Sequence, residues 1–411
     1  MKTAAIGWLP AVCWGGGVGI GGQCSAAILH RCARKRAARI RRTAPLTLRA
    51  VSKPADTLWD LEAHSKGKHH ILRRYIQAWL PIMSMSNPRI VIVDGFAGPG
   101  RYLGGEEGSP LILLNAYLNH HYRAKMKSEV VYLFIEERQD RVEHLRSEIV
   151  KITLPDNVKV HLQHGRYQDV FGTQLEGIRA GGKQLAPTFA FVDPFGYSDA
   201  SMDLTGQFLQ FHGCEVLVYM PLPFVARFVT RAGQERAMTS LFGTDRWQEA
   251  AKLNGDKRRT FLHDLFREQL RSNGSKFVRS FEIQSDASHG YDLFFGTNND
   301  LGLRRMKEAM WSLDPITGQH FADSTTTGQL VLFQDAVDVH PLRTALRDQV
   351  GTRPFTIEEA ERFTLVDTAY IPSHLRKPIL IPAETEGQLK VLSTRKKSRT
   401  YPPGTRMQFV Q

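Results

Sequence analysis

Short apolar runs alternate with amphipathic segments through the middle of this 411-residue chain. Runs of this length that are rich in β-branched and aromatic residues predict buried strands. The predicted strands cover residues 89–94, 130–135, 157–162, 188–193 and 214–219. Residues 111–122 and 138–151 lie between the first three runs and predict helices. Strands and helices that alternate in this way indicate an α/β fold, with a parallel sheet covered by helices on both faces.

Further predicted elements flank this core on both sides. Apolar residues at helical spacing predict an amphipathic helix before the first strand, namely Ile71, Leu72, Tyr75, Trp79 and Leu80. After the core, residues 276–284 and 291–297 are strand-like runs joined by a polar loop. We therefore expect an antiparallel pair at the end of the sheet, within a first domain of residues 51–334.

The pattern changes near Asp335, and we expect a second, smaller domain of residues 335–411. Thr356 followed by Glu359 is a capping-box pattern that opens a helix. The other expected elements are a helix marked by Leu342, Leu346 and Val350, a short helix within 367–380, and strand-like pieces at 389–392 and 407–410. Three helices followed by a hairpin are the order of a winged-helix-like domain, with the basic residues 395–399 as the wing.

The formal net charge of +13 is concentrated at the two ends of the chain. Residues 1–50 hold nine Lys or Arg and no acidic residue, and residues 340–411 carry a net charge of +5. The remaining body, residues 51–339, has a net charge of −1. A basic partner surface is therefore expected at the C-terminal domain, as nucleic-acid binding would require, and is not indicated around the predicted sheet.

The first fifty residues fall outside the patterned region. An apolar run at residues 4–22 precedes an arginine-rich stretch at residues 31–42, which is partly similar to a targeting peptide. Seven glycines weaken that run as a helix or a membrane span. We expect residues 1–50 to be a disordered or non-native extension, with a targeting segment or a functional basic arm as alternatives.

Cysteine usage indicates a reducing compartment. Three of the four cysteines, Cys13, Cys24 and Cys32, lie in the N-terminal segment, and only Cys214 lies in the body. No Cys-x-x-Cys pair or Cys/His spacing of a zinc site occurs, so neither a disulfide framework nor a metal is predicted. A cytoplasmic protein without a membrane segment is expected.

The first candidate site follows the strand that ends at Asp94. The sequence Asp-Gly-Phe-Ala-Gly-Pro-Gly places an acidic residue before the glycines, whereas a dinucleotide-binding turn has Gly-x-Gly-x-x-Gly. The acid-first order is typical of Rossmann-like S-adenosylmethionine-dependent methyltransferases. The residues expected to hold this cofactor are Asp94, Gly95, Phe96, Gly98 and Gly100. A tight turn without a ligand is the structural alternative.

The second predicted strand ends at an acidic residue, Glu136, with Glu137 after it. A carboxylate at this position typically accepts hydrogen bonds from both ribose hydroxyls of a nucleotide-like ligand. A solvated helix start is the alternative. After the third strand, Arg166 stands where an acid or amide more often contacts adenine, so that contact is expected only weakly.

The fourth predicted strand ends in Asp193, Pro194, Phe195, Gly196 and Tyr197. Amino-group methyltransferases carry (Asp/Asn)-Pro-Pro-(Tyr/Phe) here, whose polar side chain holds the target NH₂ and whose ring stacks on the base. We expect Asp193 with Pro194 and Phe195 to form the catalytic loop, and Phe195 or Tyr197 to supply the stacking face. The second proline is missing, and a simple turn after a buried strand is the alternative.

A histidine-rich and lysine-rich segment, residues 62–70, precedes the first strand. Its spacing matches no familiar metal site. His64 and Lys68 are candidates for a site rim that binds phosphate or a cofactor carboxylate. A solvated helix start is the alternative interpretation.

Taken together, these motifs resemble the three-Cys-motif partner protein family. The matching segments are 64–69, 94–102, 108–110, 193–196, 302–311 and 400–409. The resemblance covers almost everything after residue 55 and implies a methyltransferase-like Rossmann domain with a C-terminal winged-helix-like domain. It also implies a radical-SAM-like protein with three cysteines as a partner, so the cysteines of residues 1–50 are coincidental.

Two functions are compatible with these observations. The first is methyl transfer from S-adenosylmethionine to a nucleic-acid base or a similar amine, where the protein mainly aligns the nucleophile with an electrophilic cofactor. The second is a non-catalytic nucleic-acid-binding accessory protein of a mobile-element or defence system, with the methyltransferase fold as scaffold. A nicotinamide-dependent oxidoreductase is disfavoured by the glycine spacing.

Overall fold

The structure is a computed structural model that describes residues 55–284, 290–322 and 337–410. The N-terminal extension expected at residues 1–50 lies outside the described residues. So do the loop between the two antiparallel strands and the boundary expected between the two domains. No helix in the described part of the chain is long and apolar enough to cross a membrane.

Eight strands form one large sheet. They are β1 (Arg89–Asp94), β2 (Glu129–Glu136), β3 (Val158–His164), β4 (Thr188–Val192), β5 (Glu215–Met220), β6 (Phe277–Gln284), β7 (Gly290–Thr297) and β8 (His320–Ala322). Their order is β3-β2-β1-β4-β5-β7-β6-β8. The first five strands pair in parallel, and β7 runs antiparallel between β5 and β6. The predicted Rossmann-like α/β fold class is confirmed, including the antiparallel pair at the end of the sheet.

Helices connect the strands and cover the sheet. They are α1 (Ala63–Ser84), α2 (Ser109–Leu118), α3 (Gln139–Val150), α4 (Tyr167–Ala180), α5 (Met202–Leu209), α6 (Leu222–Phe228), α7 (Glu235–Phe242), α8 (Gly255–Ser272) and α9 (Asp300–Leu313). Short 3₁₀ helices cover Arg123–Lys125, Tyr197–Asp199 and Asp245–Lys252. The helix predicted at 111–122 starts earlier, because Pro110 suits a first helical turn, and it ends at Leu118.

The two faces of the sheet bury separate apolar clusters. Helix α1 contributes Ile71, Leu72 and Tyr75, all fully buried, to the cluster that also contains residues of α2 and α9. The opposite cluster contains residues of α4, α5 and α8. Burial on both faces explains why β1, β2, β4 and β5 are apolar nearly throughout, whereas the edge strand β3 is half-exposed and gave the weaker sequence pattern.

The C-terminal elements have their own apolar core and a small sheet. They are α10 (His340–Val350), β9 (Phe355–Thr356), α11 (Ile357–Asp367), α12 (Ser373–Leu375), α13 (Ile381–Thr385), β10 (Leu389–Val391) and β11 (Arg406–Phe409). A π-helical stretch, Arg376–Leu380, joins α12 to α13, so the predicted third helix extends beyond residue 380. The three strands pair antiparallel in the order β10-β11-β9. The capping box of Thr356 and Glu359 is present, while the winged-helix assignment stays a prediction.

A buried lysine connects α9 to the end of α11. Lys307 is 1% exposed, and its Nζ donates to the backbone carbonyls of Thr364 at 3.1 Å, Leu365 at 2.7 Å and Thr368 at 3.1 Å. These carbonyls include groups that a helix leaves without intrahelical partners at its C-terminus. Burial lowers the pKa of Lys307, whereas the three carbonyl acceptors match the three N–H donors of its ammonium form. One side chain therefore satisfies three polar groups at the junction between the large sheet's helices and the C-terminal elements.

We predict that Lys307→Met destabilises the protein by about 3 kcal/mol, because carbonyls that accept from Lys307 lose their buried donor. The midpoint and slope of urea unfolding, followed by circular dichroism, measure this loss. Arg304→Met is the control, since it removes a basic side chain from a partly exposed position of the same helix. A loss below about 1 kcal/mol for Lys307→Met would contradict the capping role.

Candidate active site

Three acidic side chains meet at one edge of the sheet. Asp94 ends β1, Glu136 ends β2, and Asp193 directly follows β4. Strand β1 pairs in parallel with both β2 and β4, so the three carboxyl ends are neighbours. This edge is where α/β sheets bind their ligands. The sequence alone located all three residues at strand ends, and the strand order brings them together.

The glycine turn after β1 is attached to β2 by its backbone. Gly98 N–H donates to Glu136 Oε2 at 2.9 Å, and Gly95 N–H donates to the Phe191 carbonyl at 2.9 Å. Gly98 and Gly100 have φ values of +62° and +85°, which favour glycine. The turn therefore needs glycine for its conformation, and its backbone lies directly beside the second acidic residue.

Both carboxylate oxygens of Glu136 accept a hydrogen bond from the backbone, and both can accept another. It is 5% exposed, and its Oε1 accepts from Arg138 N–H at 2.9 Å while Oε2 accepts from Gly98. Each carboxylate oxygen has two lone pairs, so each retains capacity for one more donor. The geometry is compatible with the predicted binding of hydroxyl groups, which stays a prediction.

A cleft of about 450 Å³, including its open mouth, lies beside this turn. Its lining comes from the ends of β1, β2, β3 and β4, and comprises Gly95, Phe96, Glu136, Glu137, Arg138, Arg141, Gly165, Arg166, Tyr167, Gln168, Phe195 and Asp199. Arg166 is thus beside the cleft, as its position after β3 suggested.

Asp94 is the most strongly perturbed carboxyl group of this edge. Burial is the main cause that raises its pKa to about 7, and the negative charge of Asp193 adds to the effect. The Ser109 hydroxyl, the Phe96 N–H and the Lys68 ammonium act in the opposite direction. Asp94 Oδ2 makes no hydrogen bond of standard geometry with the described residues. A buried carboxylate oxygen of this kind suits a cationic or hydrogen-bond-donating ligand group.

Asp193 is paired with a lysine from the helix that precedes the sheet. Lys68 Nζ lies 2.5 Å from Asp193 Oδ2 and 4.5 Å from the centroid of the Tyr219 ring. Lys68 is only 5% exposed, whereas the Asp193 side chain is 20% exposed. The predicted rim lysine is therefore a buried partner of the predicted catalytic aspartate. Tyr219 was not singled out from the sequence, because its position within an apolar strand carried no polar signal.

The two aromatic residues proposed as stacking faces have different surroundings. Phe195 lines the cleft and makes an edge contact with Trp59 at 5.7 Å. Tyr197 is buried against Phe224 and Phe228, and its hydroxyl donates to Gln234 Oε1. Tyr197 thus packs in the core and is absent from the lining of the cleft, which leaves Phe195 as the candidate stacking ring.

Pro194 and His64 are the two remaining residues that the sequence predicted at the site. Pro194 is buried between Asp193 and Phe195, where it fixes the turn after β4. The side chain of His64 lies outside what the structure describes, so its predicted role stays a prediction. Among the described residues, no group of three His, Cys, Asp or Glu side chains is arranged to hold a metal ion.

Comparisons with known proteins were made at three levels. No protein-family model and no curated protein matches the chain. Among solved structures, Trm1 from Pyrococcus horikoshii with S-adenosyl-L-methionine is 9% identical, with a TM-score of 0.33 over 87% of this chain and 93% of that protein. An O-methyltransferase from Bacillus cereus in complex with SAH is 17% identical, with a TM-score of 0.28 over 59% of this chain and 84% of that protein.

Protein LPL1258 from Legionella pneumophila, of the DUF519 family model, is 14% identical, with a TM-score of 0.34 over 55% of this chain and 83% of that protein. At such low identities and scores, these similarities assign no activity to the chain. The Rossmann-like fold is established by the strand order of the sheet itself.

We predict that Asp94→Asn makes the free energy of unfolding less dependent on pH. Because the pKa of Asp94 is raised to about 7, the folded state holds its proton between about pH 4 and pH 7 while the unfolded state releases it. Wild-type stability therefore falls relative to the variant as pH rises through this range, by up to about 4 kcal/mol, and the difference is constant above it. Urea unfolding at several pH values measures this difference.

The Asp203→Asn variant, which replaces an exposed carboxyl group, serves as the control. An Asp94→Asn curve parallel to the wild-type curve would contradict a buried, protonated Asp94.

Proposed function

We propose that the chain is an S-adenosylmethionine-dependent methyltransferase that acts on an amino group of a nucleic-acid base. The observation that supports this most is the hydrogen bond of Gly98 N–H to Glu136, with Asp94 and Asp193 at the same edge. It joins a glycine turn and a ribose-type carboxylate beside an open cleft at the ligand-binding edge of the sheet.

The residues present fit the cofactor's groups. Glu136 retains acceptor capacity for ribose hydroxyls, and Gly95 of the glycine turn lines the cleft beside it. Asp94 Oδ2 is a buried acceptor that suits the ammonium of the amino-acid moiety. When bound, the cofactor supplies an electrophilic methyl group. These residues bind and orient, and Phe96 forms part of the cleft wall with its ring 5.4 Å from that of Tyr167.

Asp193 is the residue that we assign to the target amine. Its carboxylate accepts from an N–H of the amine and so orients the nitrogen toward the cleft. The ion pair with Lys68 fixes one carboxylate oxygen, which leaves the other for the target. Phe195 offers a ring beside the cleft for stacking on a base. The ion pair between Lys68 and Asp193 also restrains the loop after β4, which lacks the second proline of the amino-group methyltransferase motif.

The C-terminal elements support nucleic-acid binding as part of this proposal. A short strand after the first helix pairs with the final hairpin, as in a winged helix. Within the hairpin loop, Arg395 Nη1 donates to Glu384 Oε2 at 3.0 Å, and Tyr401 Oη donates to the same oxygen at 2.8 Å. These bonds anchor the base of the loop, and the exposed basic residues beyond it are Lys396, Lys397 and Arg399. Such a loop suits phosphate contacts.

Membership of the three-Cys-motif partner family and a radical-SAM-like partner remain part of the proposal, based on the motifs in the sequence. A cytoplasmic location also belongs to it, in agreement with the buried free thiol of Cys214. The second candidate, a non-catalytic nucleic-acid-binding accessory protein, rests on the anchored basic hairpin. It differs from the first by requiring no cofactor.

We expect S-adenosylhomocysteine to bind the wild-type protein in calorimetry, and Glu136→Ala to weaken that binding at least about tenfold, since a hydrogen bond to a charged group is lost. Asp193→Ala is expected to keep this affinity but to lower labelled-methyl transfer from S-adenosylmethionine to total nucleic acid at least about a hundredfold.

Glu143→Ala, an exposed change on α3, is the control and should leave both quantities unaltered. Absence of cofactor binding by the wild type would exclude the methyltransferase. Binding without any transfer would favour the accessory protein.

The basic hairpin gives a separate prediction. Replacing Lys396, Lys397 and Arg399 together by alanine should reduce the slope of log affinity against log salt concentration by about two for single-stranded RNA or DNA. Fluorescence anisotropy at several salt concentrations measures this slope. A matched triple variant at exposed lysines elsewhere, Lys127, Lys159 and Lys183, should keep the wild-type slope. Equal slopes for both triple variants would refute the hairpin as the contact.

A further inference from the structure

Residues 55–60, here called the strap, lie against the start of α3 beside the candidate cofactor cleft. Arg138 Nη1 donates to the Ala55 carbonyl at 2.7 Å, and Arg141 Nη2 donates to the Asp56 carbonyl at 3.2 Å. Thr57 Oγ1 donates to Asp140 Oδ2 at 2.5 Å. Arg138 and Arg141 also line the cleft. The strap is therefore fixed to the helix that directly follows Glu136.

Trp59 connects the strap to the other parts of the site. Its carbonyl accepts from Leu103 N–H at 2.9 Å, and its ring meets the Tyr102 ring edge-on at 5.7 Å. It makes the same kind of contact with Phe195 at 5.7 Å. A Cβ built on Gly98 would lie 3.6 Å from the indole. One side chain thus contacts the glycine turn, the segment after it and the loop after β4.

Arg141 completes this arrangement from the side of α3. Its guanidinium carbon lies 4.5 Å from the Trp59 ring centroid and 5.3 Å from the Phe195 ring centroid. Arg141 is 1% exposed, and burial lowers its pKa. A desolvated cation beside two aromatic rings is attracted to both of them. Arg141 and Phe195 line the cleft, and Trp59 packs against both of them from outside its lining.

The strap is attached by these hydrogen bonds and ring contacts, and not by pairing within a helix or a sheet. Residues 55–60 form no helix or strand, and all six side chains are exposed or half-exposed. Exposed segments outside helices and strands open locally at a lower cost than global unfolding. Opening the strap would remove Trp59 from the glycine turn and from Phe195, without disturbing the sheet.

We propose that Trp59 is a positioning residue that holds Arg141 and Phe195 in the wall of the cofactor cleft, and that the cofactor exchanges when the strap lifts. This inference rests on the proposed methyltransferase function. Because Trp59 supports both the glycine turn and Phe195, closure over the cofactor also fixes the loop that carries Asp193. Cofactor binding therefore precedes binding of the target base.

The test uses the fluorescence of Trp59 during titration with S-adenosylhomocysteine. Tryptophan emission should change in the wild type and in Trp247→Phe, whose indole is buried away from the cleft, and should stay constant in Trp59→Phe. Calorimetry should show affinity lowered about tenfold in Trp59→Ala and little changed in Trp59→Phe, which keeps an aromatic ring.

Hydrogen exchange of the Leu103 amide reports on opening of the strap, because this N–H donates to the backbone carbonyl of Trp59. A residue that only supports the fold would not make this exchange depend on the ligand. Its exchange should slow when the ligand binds the wild type, and should be fast with and without ligand in Trp59→Ala. The inference about Trp59 would be overturned if Trp59→Ala bound the ligand with unchanged affinity and Trp59→Phe still showed the emission change. That result would leave the proposed function intact. Absence of binding by the wild type would instead overturn the proposed function.

Discussion

The candidate site depends on the parallel alignment of β1 with β2 and β4. This alignment places three strand ends side by side, and the hydrogen bond from Gly98 N–H to Glu136 then fixes the glycine turn to the second strand. A shift of register between β1 and β2 would separate the donor from its acceptor. Burial of both faces of these strands makes such a shift costly, because it would move each side chain from one close-packed core into the other.

Ionisable side chains are concentrated at the same edge of the sheet, where burial makes their charged forms unfavourable. Asp94 is fully buried, and Lys68 with Asp193 forms an ion pair of which one member is almost inaccessible. Desolvation opposes each of these charges, so they add little to stability by themselves. Their retention beside a cleft is what a ligand-binding role would require, since such sites keep groups that folding alone would disfavour. Helix α1 therefore serves both the core, through Tyr75, and the site, through Lys68.

Most of the fold could be predicted from the sequence because its signals are local. Apolar runs located β1 to β7, and the capping box located the start of α11. The acidic residues at strand ends were also identified locally. Lys68 and Tyr197 show where local signals stop: a lysine in a polar segment proved to be buried on Asp193, and an aromatic beside a motif proved to pack on Phe224 and Phe228.

The sequence by itself determined which residues end the strands and which turn requires glycine, because periodicity and backbone conformation are encoded by neighbouring residues. Only the tertiary structure decided which side chains share the cleft. The strand order brought Glu136 to the glycine turn, and packing of the strap brought Trp59 onto Arg141 and Phe195. These contacts join residues that are distant in the chain, so no local pattern could indicate them.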